Sequence, residues 1–276
     1  MNVFKRGFQK TVGVMHFYFF PTLDHIMQFD SGFKVHKNNN HYPPIPTGNI
    51  AIDQLLKGGY CRDLVYLLYG DEVIVTNTLF TTSVIVQKSS SNGGLGEGIR
   101  VAFVDGMNRF NPYNISKFAV SNKLSPRKVL ENIIIARAFT WDQMVELLEN
   151  QLTKLEDVKV VLISGITNLL QNYEKQTFED LLRIIGGIKK ILSKTNPLII
   201  ITAPLHKSSF FRPKGGKILS HFGNVLVLVN NEERYVEYTL IQHPFLPENR
   251  IIKWKPRIAK RNLAKSSKNT TLNTWI

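Results

Sequence analysis

The stretch LVYLLYGDEVIVTN, residues 64–77, decides how the rest of the chain is read. Leu64–Tyr69 is an unbroken run of large apolar and aromatic residues closed by Gly70. Such a run, short and bounded by glycine, reads as a strand buried on both faces. Asp71 and Glu72 follow, and apolar residues resume towards a helix expected over Thr76–Gln87, whose β-branched residues lower its propensity. Outward from here the same unit recurs. Val101–Asp105, Ile133–Ala136, Val158–Ile163 and Leu198–Thr202 read as four further strands. Trp141–Leu152 carries Trp141, Met144, Val145, Leu148 and Leu152 at helical spacing. Phe178–Leu192 is amphipathic, with Gly186 and Gly187 as a weak spot, and Ile50–Leu56 is a short helix stopped by Gly58 and Gly59. Val225–Val229 and Tyr235–Ile241 pair as a hairpin around Asn230–Glu233. Strands separated by helices imply an α/β fold with a mostly parallel sheet flanked by helices. The closing antiparallel hairpin belongs at one edge.

Composition bounds what surrounds this core. The chain has 276 residues, 43% of them hydrophobic, enough for one sizeable buried core. Three segments are expected: an N-terminal arm over 1–40, a core over 41–252, and a basic flexible tail over 253–276. The arm ends in Lys37 and Asn38–Asn40, and Pro43, Pro44 and Pro46 then stiffen the entry to the core. The formal net charge is +14, which favours polyanionic partners, nucleic acid first and an anionic membrane surface second. After Glu248 there is no acidic residue and there are eight Lys or Arg, so the C-terminal end holds over half of that charge. The single cysteine, Cys61, excludes an internal disulfide or a cysteine-rich zinc site and fits a reducing, intracellular location. No run is long and apolar enough for a membrane span; Val12–Phe20 is short and Pro21 ends it. No metal-ligand cluster or carboxylate pair accompanies His221 or His243, which read as structural.

A nucleotide site in such a fold lies beyond the carboxyl ends of the strands. It needs a G-x-x-x-x-G-K-[S/T] loop, whose backbone N–H groups reach the phosphates, whose lysine pairs with their charge and whose hydroxyl ligates magnesium. After Leu64–Tyr69 the spacing fits but the residues do not. Gly70 keeps the first glycine, while Val75 replaces the second, Thr76 the lysine and Asn77 the hydroxyl. A branched side chain at Val75 disfavours the positive φ that glycine supplies.

The order of further motifs resembles the RadA/RecA-type recombinases, and especially their recombination-mediator paralogues. The resemblance runs from about Ile45 to Ile252. Ile45-Pro46-Thr47-Gly48 followed by Leu55-Leu56 and Gly58-Gly59 is similar to the family's opening, and Gly93–Gly98 resembles its G-G-x-G-E-G loop. Phe103-Val104-Asp105 with Phe110-Asn111-Pro112, Asn132-Ile133 with Ala136-Arg137-Ala138, Pro213–His221, and His243-Pro244 with Leu246-Pro247-Glu248 follow in the family's order.

The resemblance implies a RecA-like core, and the departures imply loss of catalysis. Met107 stands where active members place the glutamate that activates water, and Ser164 where an aspartate orients magnesium. Thr202-Ala203-Pro204 replaces the segment that links nucleotide to DNA loops. The expectation is therefore no enzyme, no nucleotide cofactor and no metal. The family's two DNA loops would fall at about Gln171–Thr177 and between Pro204 and Pro213. The second, with Lys207, Phe210, Phe211 and Arg212, mixes cations and aromatics as single-strand sites do. Lys214 and Lys217 flank Gly215-Gly216 beside it, and Lys253, Lys255, Arg257, Lys260 and Arg261 form a second, sequence-independent footprint. The family inserts a linker phenylalanine into the neighbouring subunit, for which Phe33 is the candidate. The implied partners are single-stranded DNA and recombinase or recombinase-paralogue subunits, in homologous-recombination repair, in the nucleoid and cytoplasm or the nucleus. Two alternatives remain: a structural subunit without DNA binding of its own, and a divergent DNA-stimulated ATPase relying on Asp105 and Glu72.

Overall fold

The computed structural model describes residues 43–171, 175–206, 208–209 and 211–256. The expected arm with Phe33, the loop residues Lys207 and Phe210, and the tail residues Arg257, Lys260 and Arg261 lie outside the described residues.

The first element among the described residues is α1 (Ile50–Leu55), started by the Asn49 side chain, which accepts from Ala51 N–H. It then alternates: β1 (Val65–Gly70), α2 (Glu72–Ile85), β2 (Arg100–Asp105), α3 (Pro112–Ser121), α4 (Pro126–Glu131), β3 (Ile133–Arg137), α5 (Trp141–Glu146) and β4 (Val158–Ser164). The second half adds α6 (Lys175–Thr195), β5 (Leu198–Ala203), α7 (Gly216–Phe222), β6 (Val225–Asn231), β7 (Tyr235–Gln242) and β8 (Asn249–Trp254). The eight strands form one sheet in the order β3-β2-β4-β5-β1-β6-β7-β8. The first six run parallel, and β7 and β8 close the sheet antiparallel. This is the RecA-like α/β arrangement expected.

Side chains alternate across β1 and define two cores. Tyr66 and Leu68 join the core under α1–α4, while Val65, Leu67 and Tyr69 join the core under α5–α7. Each fully buried Leu, Ile or Val contributes about 1.5–3 kcal/mol relative to exposure, which explains why these continuous runs dominate the sequence pattern.

Several boundaries differ from expectation, each for a local reason. α2 starts at Glu72, not Thr76, because Asp71 caps it: its Oδ1 accepts from Ile74 N–H at 2.9 Å. A capping bond of about 1 kcal/mol outweighs the weak propensity of the β-branched residues behind it. α3 and α4 were not expected, yet each carries a start signal, Asn111-Pro112 and Ser125-Pro126. α7, also unexpected, starts at Gly216, directly after Gly215. α6 runs straight through Gly186 and Gly187. A Cβ on Gly187 would lie 2.0 Å from the Leu148 carbonyl oxygen, so this glycine lets α6 approach the turn after α5 closely. The sheet also gains β8. The expected boundary at 252 cuts through that strand, so Lys253 belongs to the sheet edge and not to a tail. Ile251 packs against the core, a contact that the surrounding cations obscured in the sequence. Among the described residues no helix is long and apolar enough to cross a membrane.

Candidate nucleotide and nucleic-acid site

The four positions Gly70, Val75, Thr76 and Asn77 lie on a direct strand-to-helix junction, with no loop between. Gly70 holds φ +118°, and a Cβ there would sit 2.1 Å from the Val229 carbonyl oxygen, so only glycine fits the turn. Asp71 N–H donates to that oxygen at 2.8 Å, and Asp71 Oδ2 accepts from Asn231 Nδ2 at 2.8 Å. Val75 N–H donates into the helix, to Asp71 O at 3.1 Å, and the Val75 side chain is buried. Two of the donors that a phosphate loop aims at its ligand are therefore engaged, Ile74 by a carboxylate and Val75 by a carbonyl. Thr76 is buried with its hydroxyl on Met107 Sδ at 3.7 Å, and Asn77 is exposed. Asp71 thus occupies the helix N-terminus with the chain's own anion, which the helix dipole favours.

The neighbouring carboxylates are equally committed. Asp105 is 0% exposed and accepts from the N–H groups of Met107 (3.2 Å), Arg109 (3.2 Å) and Phe110 (2.8 Å). The Arg137 guanidinium stands 3.9 Å from it. Glu72 pairs with Arg109 at 3.0 Å, both partly exposed, a contact worth at most about 1 kcal/mol. Ser164 pairs with Asp105 in the β2–β4 register, and its buried hydroxyl has no hydrogen-bond partner. Met107 packs over Gly165, where a Cβ would come within 2.3 Å of Met107 Cγ. Thr202 is structural: its hydroxyl accepts from Gly165 N–H at 2.8 Å and its carbonyl from Ile166 N–H at 2.9 Å.

The loop after β5 is a narrow turn. Leu205 and Pro213 form a bridge, and His206 N–H donates to Arg212 O at 2.9 Å. Tyr69 Oη donates to the Phe211 carbonyl at 3.0 Å, and burial pushes the Tyr69 phenol well above its ordinary value. Phe211, Arg212 and Lys217 are exposed. Lys214 is half-buried, and its ammonium donates to the Leu170 carbonyl while the Lys214 carbonyl accepts from Thr167 Oγ1 at 2.8 Å. That lysine ties the two loop bases together. Beside it a 350 Å³ cavity is lined by Phe178, Leu181, His206, Gly215, Lys217 and Ile218. Phe178 and His206 were not singled out from the sequence as a pair, because only the parallel crossover brings α6 against this loop.

The expected cations among the described residues do not form one patch. Lys253 and Lys255 are exposed at the far edge. β8 lies four strands from β5, roughly 20 Å at about 4.8 Å per strand. His243 is structural as read: its Nδ1 accepts from Phe245 N–H at 3.0 Å and Leu246 N–H at 3.1 Å, and burial lowers its pKa. Among the described residues no group of His, Cys, Asp or Glu could hold a metal ion.

Residues 41–178, half of the chain, match the Rad51 family. The chain is 29% identical over 208 residues to the DNA repair and recombination protein RadA of Cenarchaeum symbiosum, covering 70% of this chain and 52% of that protein. It is 24% identical over 241 residues to DNA repair protein RAD51 homolog 1 of Arabidopsis thaliana, covering 80% of this chain and 69% of that one. To the meiotic recombination protein DMC1/LIM15 homolog of Mus musculus it is 23% identical over 227 residues, covering 74% and 66%. The match thus spans from about half to two thirds of these relatives. The sheet order, the ordered motifs and this match agree: the chain belongs to the Rad51 family.

Proposed function

We propose that the chain is a non-catalytic recombinase paralogue that binds single-stranded DNA, joins a partner recombinase and so assists homologous-recombination repair inside the cell. One observation carries the loss of catalysis: the Asp71 carboxylate caps α2 where the phosphates would lie. Phosphoryl transfer rests on positioned donors, a lysine and metal ligands. Here Val75 is packed, Thr76 faces Met107, and Asp105 is held by three backbone N–H groups, which leaves a divergent ATPase without a free carboxylate at the strand ends. No nucleotide cofactor is assigned.

Phe211, Arg212 and Lys217, exposed around the Phe178 cavity, support the DNA role, with Lys207 and Phe210 as further candidates from the sequence. Edge strand β3 supports the partner role. Its outer backbone groups can take a further strand. An apolar hollow of 70 Å³ beside it, lined by Ala102, Val104, Ile134, Ala136, Leu147 and Leu155, suits part of an inserted apolar side chain. The resemblance assigns Phe33 the reciprocal insertion.

The test is single-stranded DNA affinity across a salt series, with and without magnesium-ATP. Salt-sensitive binding indifferent to ATP is expected. Binding that requires ATP overturns the non-catalytic reading. A stable complex with a recombinase and no DNA affinity at any salt leaves the structural-subunit reading, which the β3 edge alone would support.

A further inference from the structure

The β7–β8 edge has two unlike faces. Register pairs Val236 with Lys253, Tyr238 with Ile251 and Leu240 with Asn249, and α1 packs on this side through the core. Tyr235 with Trp254, Glu237 with Ile252 and Thr239 with Arg250 therefore share the opposite face. The residues of β7 there are only half-buried, Ile252 and Trp254 are exposed, and Trp254 is 68% exposed. An indole so exposed at a strand end costs free energy unless something covers it.

We propose that this face is a base-stacking platform for single-stranded nucleic acid, with Trp254 as the stacking side chain. The Tyr235 ring meets the Trp254 indole edge-on, with centroids 5.5 Å apart and planes at 64°. That contact holds the indole in place, so little rotamer entropy remains to be lost on binding. Charge selects the occupant. From Arg250 to the C-terminus the sequence has eight Lys or Arg and no acid. Glu237, the acid on this face, is neutralised by Arg250 at 3.1 Å. The Lys255 ammonium donates to the Glu232 carbonyl and anchors the chain where the basic segment begins. An aromatic side chain at the root of a cationic segment suits a strand whose phosphates the cations track while a base stacks. A duplex offers no free base face, and a further protein strand meets Lys253 and then Pro256 along this edge.

The inference rests on the DNA-binding part of the proposed function, and one experiment separates the two. Affinity of the full chain and of Trp254→Ala and Trp254→Phe is measured for oligodeoxythymidylate and for heparin, which has charge but no bases. Trp254→Ala is expected to weaken oligonucleotide binding about tenfold, the scale of one stacked base. Its salt slope and heparin affinity stay unchanged, and Trp254→Phe recovers most of the loss. Unchanged oligonucleotide affinity in Trp254→Ala overturns the platform alone. So does an equal loss for heparin, which would make Trp254 a support of the fold. If Trp254→Ala fails to fold, tryptophan fluorescence quenched no more by oligonucleotide than by heparin, or quenched by oligonucleotide equally in wild type and Trp254→Phe, overturns it instead. A wild-type chain that binds no oligonucleotide at any salt overturns both.

Discussion

Replacing Asp71 by alanine probes the junction on which the non-catalytic reading stands. The substitution removes the oxygen that caps Ile74 N–H at 2.9 Å and the one that accepts from Asn231 Nδ2 at 2.8 Å. Loss of an N-cap costs about 0.5–2 kcal/mol. Loss of the second bond adds up to about 1 kcal/mol, reduced because Asn231 is exposed and its amide returns to water. The sum is about 1–2 kcal/mol, which lowers Tm by roughly 3–6 °C in a domain of this size. Thermal unfolding by circular dichroism measures it, with and without magnesium-ATP. A competent phosphate site would stabilise by about 2.7 kcal/mol at a ligand concentration about a hundred times its Kd. That would raise the wild-type Tm by roughly 5–10 °C. The expected wild-type shift with ATP is nil. A rise of several degrees, or an Asp71→Ala protein as stable as wild type, refutes the argument that this carboxylate has taken the phosphate's place.

Gly186 and Gly187 are adjacent in α6 and should respond oppositely to alanine. Gly186→Ala meets no atom within 4 Å and gains about 1 kcal/mol of helix propensity, whereas Gly187→Ala drives a Cβ onto the Leu148 carbonyl at 2.0 Å and loses about 1–3 kcal/mol. Urea unfolding midpoints that shift in the same direction for both variants would contradict this packing. Ser164→Ala removes a buried hydroxyl that has no partner, so stability should be unchanged or rise by up to about 1 kcal/mol; a clear loss in urea titration would mean that the hydroxyl is engaged. Burial pushes the phenols of Tyr60, Tyr66 and Tyr69 above their ordinary value of 10.0. Folding then favours the protonated phenol, so this stability is complete below about pH 10 and falls as pH rises beyond it, where the unfolded chain loses protons first. Absorbance at 295 nm should rise in two steps, the second coinciding with loss of ellipticity. All tyrosines titrating together near pH 10 with the fold intact would sink the assignment.

The parallel strands were legible because burial on both faces writes itself as continuous apolar runs such as Leu64–Tyr69 and Val158–Ile163. The edge was not. In β8 only Ile251 reaches the core, so Arg250, Lys253 and Lys255 look like the start of a tail. At the candidate site, residue identity alone carries the expected substitutions at Val75, Thr76, Met107 and Ser164. It could not reveal how the backbone responds. Reading Asp71–Val75 as a loop before a helix at Thr76 did not show where its backbone donors go. In the folded chain the helix extends back to Glu72, and those donors belong to Asp71. Lys214 shows the same limit. A cation beside a glycine pair reads as a phosphate contact, and only the crossover between β4 and α6 places the Leu170 carbonyl on its ammonium.

A phosphate arrives, is cleaved and leaves, so any contact built on it keeps time. The Asp71 carboxylate is covalently part of the chain and links the start of α2 to Asn231 at the end of β6 through its second oxygen. It cannot be hydrolysed, exchanged or depleted. On the reading proposed above, whatever surface that junction shapes has no clock of its own. Under the proposed non-catalytic role, release from a partner is set by simple dissociation, by competing polyanions, or by the turnover of a neighbour that still burns fuel.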